Sequence, residues 1–394
     1  MFELEEIASD AMAEGTTIIK VVGVGGAGGN AVEHMIREGV GGVEFICCNT
    51  DAQALEKSNA HVKLQLGPGL GAGGKPEKAK ALAEADRQRI AEVLEGAHMV
   101  FITAGMGGGT GTGAGPVIAE VARELGILTV AVVTKPFEYE GRRKRLAEEG
   151  VNELSLHVDS LIVILNEKLE EVLGDEVSML DAFRAADNVL RNAVGGIAEI
   201  INVPGLVNVD FEDVRTVMGE MGKAMMGSAT SSGVDRARIA AEEAVASPLL
   251  EGVELSGARG VLVNITASNT LGLKEYKDVM NTIRQYTAAE ATVICGAVFD
   301  ESMEDRLRVT VVATGLGAIA TKARKPEMKV IETIGLRTGT DNFHVFDPAM
   351  GQVDLSGVVS SVRGSMPRNS QADAMAASGV DKFDIPAFLR RQSD

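Results

Sequence analysis

The chain contains no tryptophan, and aromatic residues make up only 4% of it. Proteins that hold single-stranded nucleic acid by base stacking need aromatic platforms, and here there is little to build them from. Basic residues are also scarce: 38 Lys and Arg stand against 56 Asp and Glu, a formal charge of −18. That balance argues against nucleic acid as the main ligand, because phosphate backbones are held by an excess of cations. Cysteine is nearly absent. Cys47, Cys48 and Cys295 show no C-x-x-C spacing and the five histidines are scattered, which excludes a zinc framework or disulfide scaffold and suits a reducing cytoplasm. No apolar run, including the one around Leu128–Val133, approaches the ~18 residues that a membrane-spanning helix requires. The acidic start (Glu3, Glu5, Glu6) does not read as a signal peptide.

Glycine, in contrast, is plentiful and clustered. Gly107-Gly108-Gly109-Thr110-Gly111-Thr112-Gly113 follows an apolar run ending at Gly105, which reads as a buried strand. It precedes a helical pattern with Pro116 expected in its first turn. Strand, side-chain-poor loop and helix N-terminus together make an anion site, since backbone N–H groups can approach phosphate oxygens and the helix dipole favours negative charge. A second loop has the same layout. Residues 17–22 read as a strand, Gly23, Gly25 and Gly28 fit the dinucleotide fingerprint G-x-G-x-x-G, and a helix is expected from Ala31. The next strand, from Val43 to Cys48, ends in Asn49-Thr50-Asp51, where a carboxylate is placed to bind a ribose. A third loop, Gly67 to Pro76, satisfies G-x-x-x-x-G-K between Gly69 and Lys75. However, Pro76 stands where a P-loop needs a Ser or Thr hydroxyl, and no clear strand precedes it. It reads as a flexible loop near the phosphates.

Strand candidates at 17–23, 43–48, 98–104, 127–134 and 159–165 alternate with helix patterns, the signature of an open parallel sheet covered on both faces. Such sheets bind ligands beyond the carboxyl ends of their strands. The expected organisation is a flexible extension over 1–16, a nucleotide-binding α/β domain over 17–175 and a long central helix over 176–202. A smaller α/β domain over 203–317 and a polar, disordered linker over 318–380 follow. Val177, Leu180, Phe183, Leu190, Val194, Ile197 and Ile201 define the apolar face of the central helix, and Pro204-Gly205 stops it. Residues 381–394 turn apolar again. Ile385, Phe388 and Leu389 share one face of a short helix, with Asp384 and Pro386 at its start and Arg390 at its end. The segment is either a frayed terminus or a docking peptide.

Gly107–Gly113 matches the tubulin-type signature GGGTGTG, and further motifs follow in order: Gly23–Asn30, Asn49–Asp51, Thr134–Phe137, Asn208–Asp213, Gly257–Asn264 and Phe383–Arg390. On these the chain resembles the FtsZ family of bacterial tubulin-like cell-division GTPases over 17–317 and again over 381–394. The resemblance implies a tubulin-like fold, GTP/GDP as ligand with Mg²⁺, and no metal held by the protein itself. Gly25, Gly26, Ala27, Gly28, Gly29 and Asn30 would cradle phosphates together with Gly108, Gly109, Thr110, Gly111, Thr112 and Gly113. Asn49 and Asp51 join the nucleotide site, and Ala72 and Gly73 would lie beside the γ-phosphate. Glu140 would contact ribose and Arg143 would be its basic neighbour, with Lys144 and Arg145 as alternatives. Asn166 and Asp187 would contact guanine, and a carboxylate at Asp187 can accept from N1–H and the amino group, a pattern adenine does not offer.

Spacing alone makes Asp210-Phe-Glu-Asp213 a helix cap. The resemblance instead assigns Asn208, Asp210 and Asp213 to hydrolysis of a neighbouring subunit's nucleotide in head-to-tail filaments that form the cytokinetic ring at midcell. It further implies that the tail (Asp384, Ile385, Pro386, Phe388, Leu389, Arg390) binds membrane-anchoring adaptors of the FtsA and ZipA type and regulators of the MinC type. Two sites depart from the family pattern: Asn166 lies in Leu165-Asn-Glu-Lys168 where Pro-Asn-Asp is common, and Gly74-Lys75 replaces a more usual Ala-Asn. Two other readings compete. One is a Rossmann-type NAD-dependent oxidoreductase, which leaves Gly107–Gly113 unexplained; the other is a tubulin-like scaffold that binds nucleotide without turnover, against which Asn208, Asp210 and Asp213 argue.

Overall fold

The computed structural model of the chain describes residues 17–173, 178–203, 209–220, 222–246, 257–288 and 290–316. The expected N-terminal extension, Val177, Pro204, Asn208, the linker and the tail lie outside the described residues. Among the described residues, ten strands form one sheet: β1 (Ile19–Val24), β2 (Glu44–Asn49), β3 (Val62–Gln65), β4 (Met99–Gly105), β5 (Leu128–Lys135), β6 (Ser160–Leu165), β7 (Gly222–Ser232), β8 (Gly260–Ala267), β9 (Thr292–Phe299) and β10 (Arg306–Leu316). The helices are α1 (Gly25–Arg37), α2 (Ala52–Glu56), α3 (Pro76–Ala85), α4 (Arg87–Leu94), α5 (Thr110–Glu124), α6 (Arg142–Leu154), α7 (Asn166–Leu173), α8 (Met179–Asn202), α9 (Phe211–Met218), α10 (Arg236–Val245) and α11 (Leu273–Tyr286).

Strand order is β3-β2-β1-β4-β5-β6-β7-β10-β8-β9. All neighbours from β3 to β7 are parallel, β10 is antiparallel to both β7 and β8, and β8 and β9 are parallel again. The parallel strands read as nearly continuous apolar runs because helices bury both of their faces. Period-two alternation then decides which core each side chain joins. In β4, Met99 and Phe101 pack with α1 and α8 on one face, while Val100, Ile102 and Ala104 pack with α4, α5 and α6 on the other. In β10, Val312 faces the α8 side, and Val309, Val311 and Ala313 meet α10 and α11. The central helix α8 therefore spans strands from both halves of the sheet.

Four expectations differ from the structure. The third loop is fed by a strand after all: β3 pairs with β2 in parallel, Leu64 opposite Cys48. It escaped notice because Val62-Lys-Leu-Gln65 offers only two apolar residues. Strand β7 has no counterpart in the sequence reading, since its small and polar residues (Ser228, Thr230, Ser231) carry little β propensity and tertiary pairing with β10 holds them extended. Helix α5 begins at Thr110, not near Pro116, and α1 begins at Gly25, not Ala31. Glycine's low helix propensity hides both starts, so part of each glycine loop is the first helical turn. Finally, Leu180 and Phe183 on α8 are 60% and 47% exposed, whereas Leu190, Val194 and Ile197 are buried as their spacing predicts.

Candidate functional site

Two of the three glycine loops leave the carboxyl ends of β1 and β4, adjacent strands whose chain connections run in opposite directions across the sheet. This is the switch point at which open α/β sheets form a crevice. A cleft of about 470 Å³ opens there, bordered by Gly26, Ala27 and Asn30 from α1, by Gly108 to Gly111 around the start of α5, and by Glu140, Arg143, Asn166, Phe183 and Asp187. A smaller cleft of about 250 Å³ adjoins it, sharing Gly26 and Asn30 and adding Gly25, Gly29 and Asn49. Most residues expected at a nucleotide thus surround one connected crevice.

The glycines do different jobs within it. A Cβ on Gly28 would stand 2.3 Å from the Thr103 carbonyl oxygen, and one on Gly113 would stand 2.1 Å from that of Pro76, so both are glycine because backbone passes against backbone. Gly26 and Gly108 border the cleft, and a Cβ on either would meet nothing within 4 Å. Thr112 is turned inward, its Oγ1 accepting from Gly107 N (2.9 Å), and neither it nor Gly113 borders the cleft. Thr110 hydrogen-bonds Thr50 through the hydroxyls (2.7 Å), which ties the end of β2 to the start of α5. Asp51 is the N-cap of α2 and accepts from Gln53 N (3.0 Å). Ala72 is buried, 2.9 Å from where a Cβ on Gly109 would lie, and Gly73 is exposed in the left-handed region. Lys78 holds this third loop by donating to the Gly71 carbonyl (2.8 Å).

Of the basic residues after Glu140, Arg143 borders the cleft and donates to Glu140 Oε2 (2.5 Å), while Lys144 pairs with Glu138 and Arg145 with Glu149. Glu140 also accepts from Phe137 N through Oε1 (3.1 Å), so its carboxylate is held from two sides. Asn166, the first residue of α7, is 7% exposed, and its Oδ1 is buried without a hydrogen-bond partner. Such an orphan acceptor is costly unless a ligand supplies the donor. Burial pushes the Asp187 carboxyl up to about 6, opposed by the positive charges of His34 and Arg37.

Sequence reasoning assigned Phe183 to the core. Its ring instead borders the cleft and meets Phe137 edge-on at 6.5 Å, and Phe137 in turn stacks on Tyr139 at 5.3 Å. An exposed aromatic at this place is fitted to lie against a planar base. The available signal was its position: Phe183 is one turn before Asp187 on the same helix, so a residue that reads a base edge has a flat neighbour beside it.

Asp210 and Asp213 lie elsewhere. Asp210 is the N-cap of α9, its Oδ1 accepting from Asp213 N (2.8 Å). Phe211 packs edge-on against His98, immediately before the first residue of β4, and Ser160 Oγ at the start of β6 donates to the Met218 carbonyl (2.7 Å). Helix α9 therefore sits at the amino ends of the parallel strands, whereas the cleft is at their carboxyl ends. The seven residues of β4 separate the two by about 20 Å.

Two family models match the chain: the Tubulin/FtsZ family GTPase domain over residues 18–174, and the FtsZ family C-terminal domain over 222–317. The chain is 53% identical to the cell division protein FtsZ of Pseudomonas aeruginosa over the full length of both. It is 59% identical to that of Buchnera aphidicola from Acyrthosiphon pisum, again end to end. Among solved structures it resembles an FtsZ dimer from M. jannaschii with a TM-score of 0.73 and 43% identity, covering 77% of this chain and 88% of that one. A dehydrogenase reading of Gly23, Gly25 and Gly28 gives way to these matches. With both halves of the sheet accounted for and relatives matched over their whole length, the chain belongs to the Tubulin/FtsZ family, and its activity is that of a GTPase.

Proposed function

We propose that the chain polymerises head to tail, each nucleotide being hydrolysed at a joint between two subunits. One observation carries this reading: the cleft and the acidic N-terminus of α9 occupy opposite ends of one parallel sheet, about 20 Å apart along β4. An aspartate side chain cannot cross that gap within its own subunit. Translating a copy along the strand axis brings the two ends together and leaves both outer ends free, an open heterologous association that builds filaments.

At such a joint GTP lies with its phosphates on the amide-lined turns of α1 and α5, which offer two helix N-termini to the anion. Asn166 and Asp187 read the guanine edge, Phe183 lies against its face, and Glu140 with Arg143 faces the ribose. Asp210 and Asp213 of the next subunit, with Asn208, orient and polarise the attacking water, while backbone donors offset charge on the phosphoryl group in flight. Mg²⁺ arrives with the nucleotide, held by phosphate oxygens and water. The chain is divided at 175, 202 and 317 into a nucleotide-binding domain, a central helix, a smaller α/β domain and a linker. In the cell the filament forms the cytokinetic ring at midcell, and residues 381–394 dock adaptors of the FtsA and ZipA type and regulators of the MinC type.

The test is GTP turnover per molecule as protein concentration rises with Mg²⁺ present. A rate that appears above a threshold and then climbs supports a site built between subunits. A constant rate down to high dilution would leave Asp210 as a cap and nothing more.

A further inference from the structure

Helix α1 carries phosphate-facing residues in its first turns and continues below the cleft toward α8, which carries Phe183 and Asp187. Asn30 borders the cleft, and His34, one turn further along α1, lies on the same side of the helix. From there His34 Nε2–H donates to Asn188 Oδ1 at 2.6 Å. Asn188 is the residue after Asp187, so this one bond joins the phosphate-holding helix to the base-reading helix next to the base-reading carboxylate. A second tie, from Asn202 Nδ2 to the Gly42 carbonyl (2.6 Å), fixes the far end of α8 to the segment between α1 and β2. The two together set the spacing of the helices along the length of α1.

We propose that His34 is a positioning residue for nucleotide recognition: by bonding Asn188 it holds α8 at the spacing from α1 at which phosphates and guanine are gripped together. The proposal rests on the assignment of Asp187 to the guanine edge. A hydrogen bond of this kind between two helices is exposed and individually modest. Its leverage comes from its place, since a small change in the α1–α8 spacing misaligns one end of the nucleotide whenever the other end is seated.

The charged groups around the Asp187 carboxylate bear on its protonation. From α1 it faces His34 and Arg37. On α8 itself Arg184 is engaged with Asp181 (3.3 Å) and Arg191 with Asn192 (3.1 Å), and Arg143, which also borders the cleft, is engaged with Glu140. His34 and Arg37 are thus the cations that favour the ionised carboxylate, the form able to accept from guanine. Burial favours the protonated Asp187 carboxyl, and these two neighbours on α1 oppose it.

The experiment measures affinity for GTP and for ITP, whose base lacks the 2-amino group, by calorimetry at pH 7.5 on the full chain below its assembly concentration. The parent should favour GTP by about tenfold or more, the effect of one hydrogen bond to a charged acceptor. His34→Ala should lower GTP affinity several-fold and shrink the GTP/ITP ratio. Asn188→Ala should do the same, with no further loss in the double variant, since both remove one bond. His34→Gln keeps an N–H donor for Asn188 Oδ1 and should stay close to the parent in both affinity and ratio. A parental GTP affinity and GTP/ITP ratio in His34→Ala, or a loss in His34→Gln equal to that in His34→Ala, would overturn the proposal. Asp187→Asn separates the two layers of the argument. If that variant keeps the parental ratio, the base-reading assignment itself fails; if it loses the ratio while His34→Ala keeps it, only the positioning role fails.

Discussion

Asp210 is asked to do two jobs, and one pair of substitutions separates them. Within its own subunit it caps α9, accepting from Asp213 N at 2.8 Å. Removing such a cap costs about 1 kcal/mol, and asparagine caps about as well as aspartate. For a domain of this size 1 kcal/mol moves the melting temperature by roughly 2 °C. Asp210→Ala should therefore melt about 2 °C lower as a dilute, GDP-bound monomer, whereas Asp210→Asn should stay within about 1 °C of the parent. Losing the charge at a helix start that also carries Glu212 and Asp213 changes little. Hydrolysis should respond differently. A carboxylate that polarises water is worth about a hundredfold or more in rate, and the neutral amide cannot replace it. Phosphate release above the assembly concentration should then collapse in both variants, with sedimentation reporting that polymers still form. A fully active Asp210→Asn variant, stable and hydrolysing at the parental rate, would refute the trans assignment and leave only the cap.

Other consequences are independent of that one. Gly108→Ala should fold normally, because its Cβ meets nothing, yet lose much of its GTP affinity by crowding the phosphates. Gly113→Ala, whose Cβ would stand 2.1 Å from the Pro76 carbonyl oxygen, should lower the melting temperature by many degrees; differential scanning fluorimetry with and without nucleotide separates the two, and reversed outcomes would refute the division of labour among the glycines. Burial pushes the Asp187 carboxyl up to about 6 in the folded chain, above its ordinary value of 3.8. Between these values the unfolded chain binds fewer protons, so the stability linked to this group is present at about pH 4 and is lost as pH rises through 6. Nucleotide-free Asp187→Asn should therefore be more stable than the parent at pH 7.5 and lose that advantage by pH 4, while binding GTP more weakly. Removing residues 381–394 should spare assembly and GTP turnover while abolishing adaptor binding, checked by sedimentation and pull-down; a loss of bulk assembly would place the tail in the polymer contact.

The parallel half of the sheet was legible because fully buried strands read as apolar runs, and β1, β2, β4, β5 and β6 lie within a residue or two of the spans expected. What escaped was structure without that signal. β7 is made of small and polar residues held extended by its partners, and β3 is too short to show a pattern. The glycine loops announced an anion site yet concealed where α1 and α5 begin, because a helix start made of glycine leaves no propensity trace. Phe183 shows a different limit. Its spacing fits the buried stripe of α8, and nothing local distinguishes an apolar residue that faces a core from one that faces a cleft. Asp210 looked like a cap from its spacing and is one; its distance from the cleft, on which the proposed role in a neighbouring subunit's site rests, emerges only once the sheet is assembled.

The sheet is not equally strong along its width. β5 and β6 are joined over six residue pairs and β7 and β10 over nine, but β6 and β7 meet over only three, Ser160 to Ile162 against Gly222 to Ala224. Adjacent to this narrow seam, α8 is tied to the β10 side through Arg308 and Glu199 (3.0 Å) and to β8 through Asn264 Nδ2 and the Gly196 carbonyl (3.2 Å). A material joined this way has a preferred tear line. Under tension across the sheet, load would concentrate on three rungs of backbone hydrogen bonds and on the helix behind them, and the strip would part there before either flank yielded.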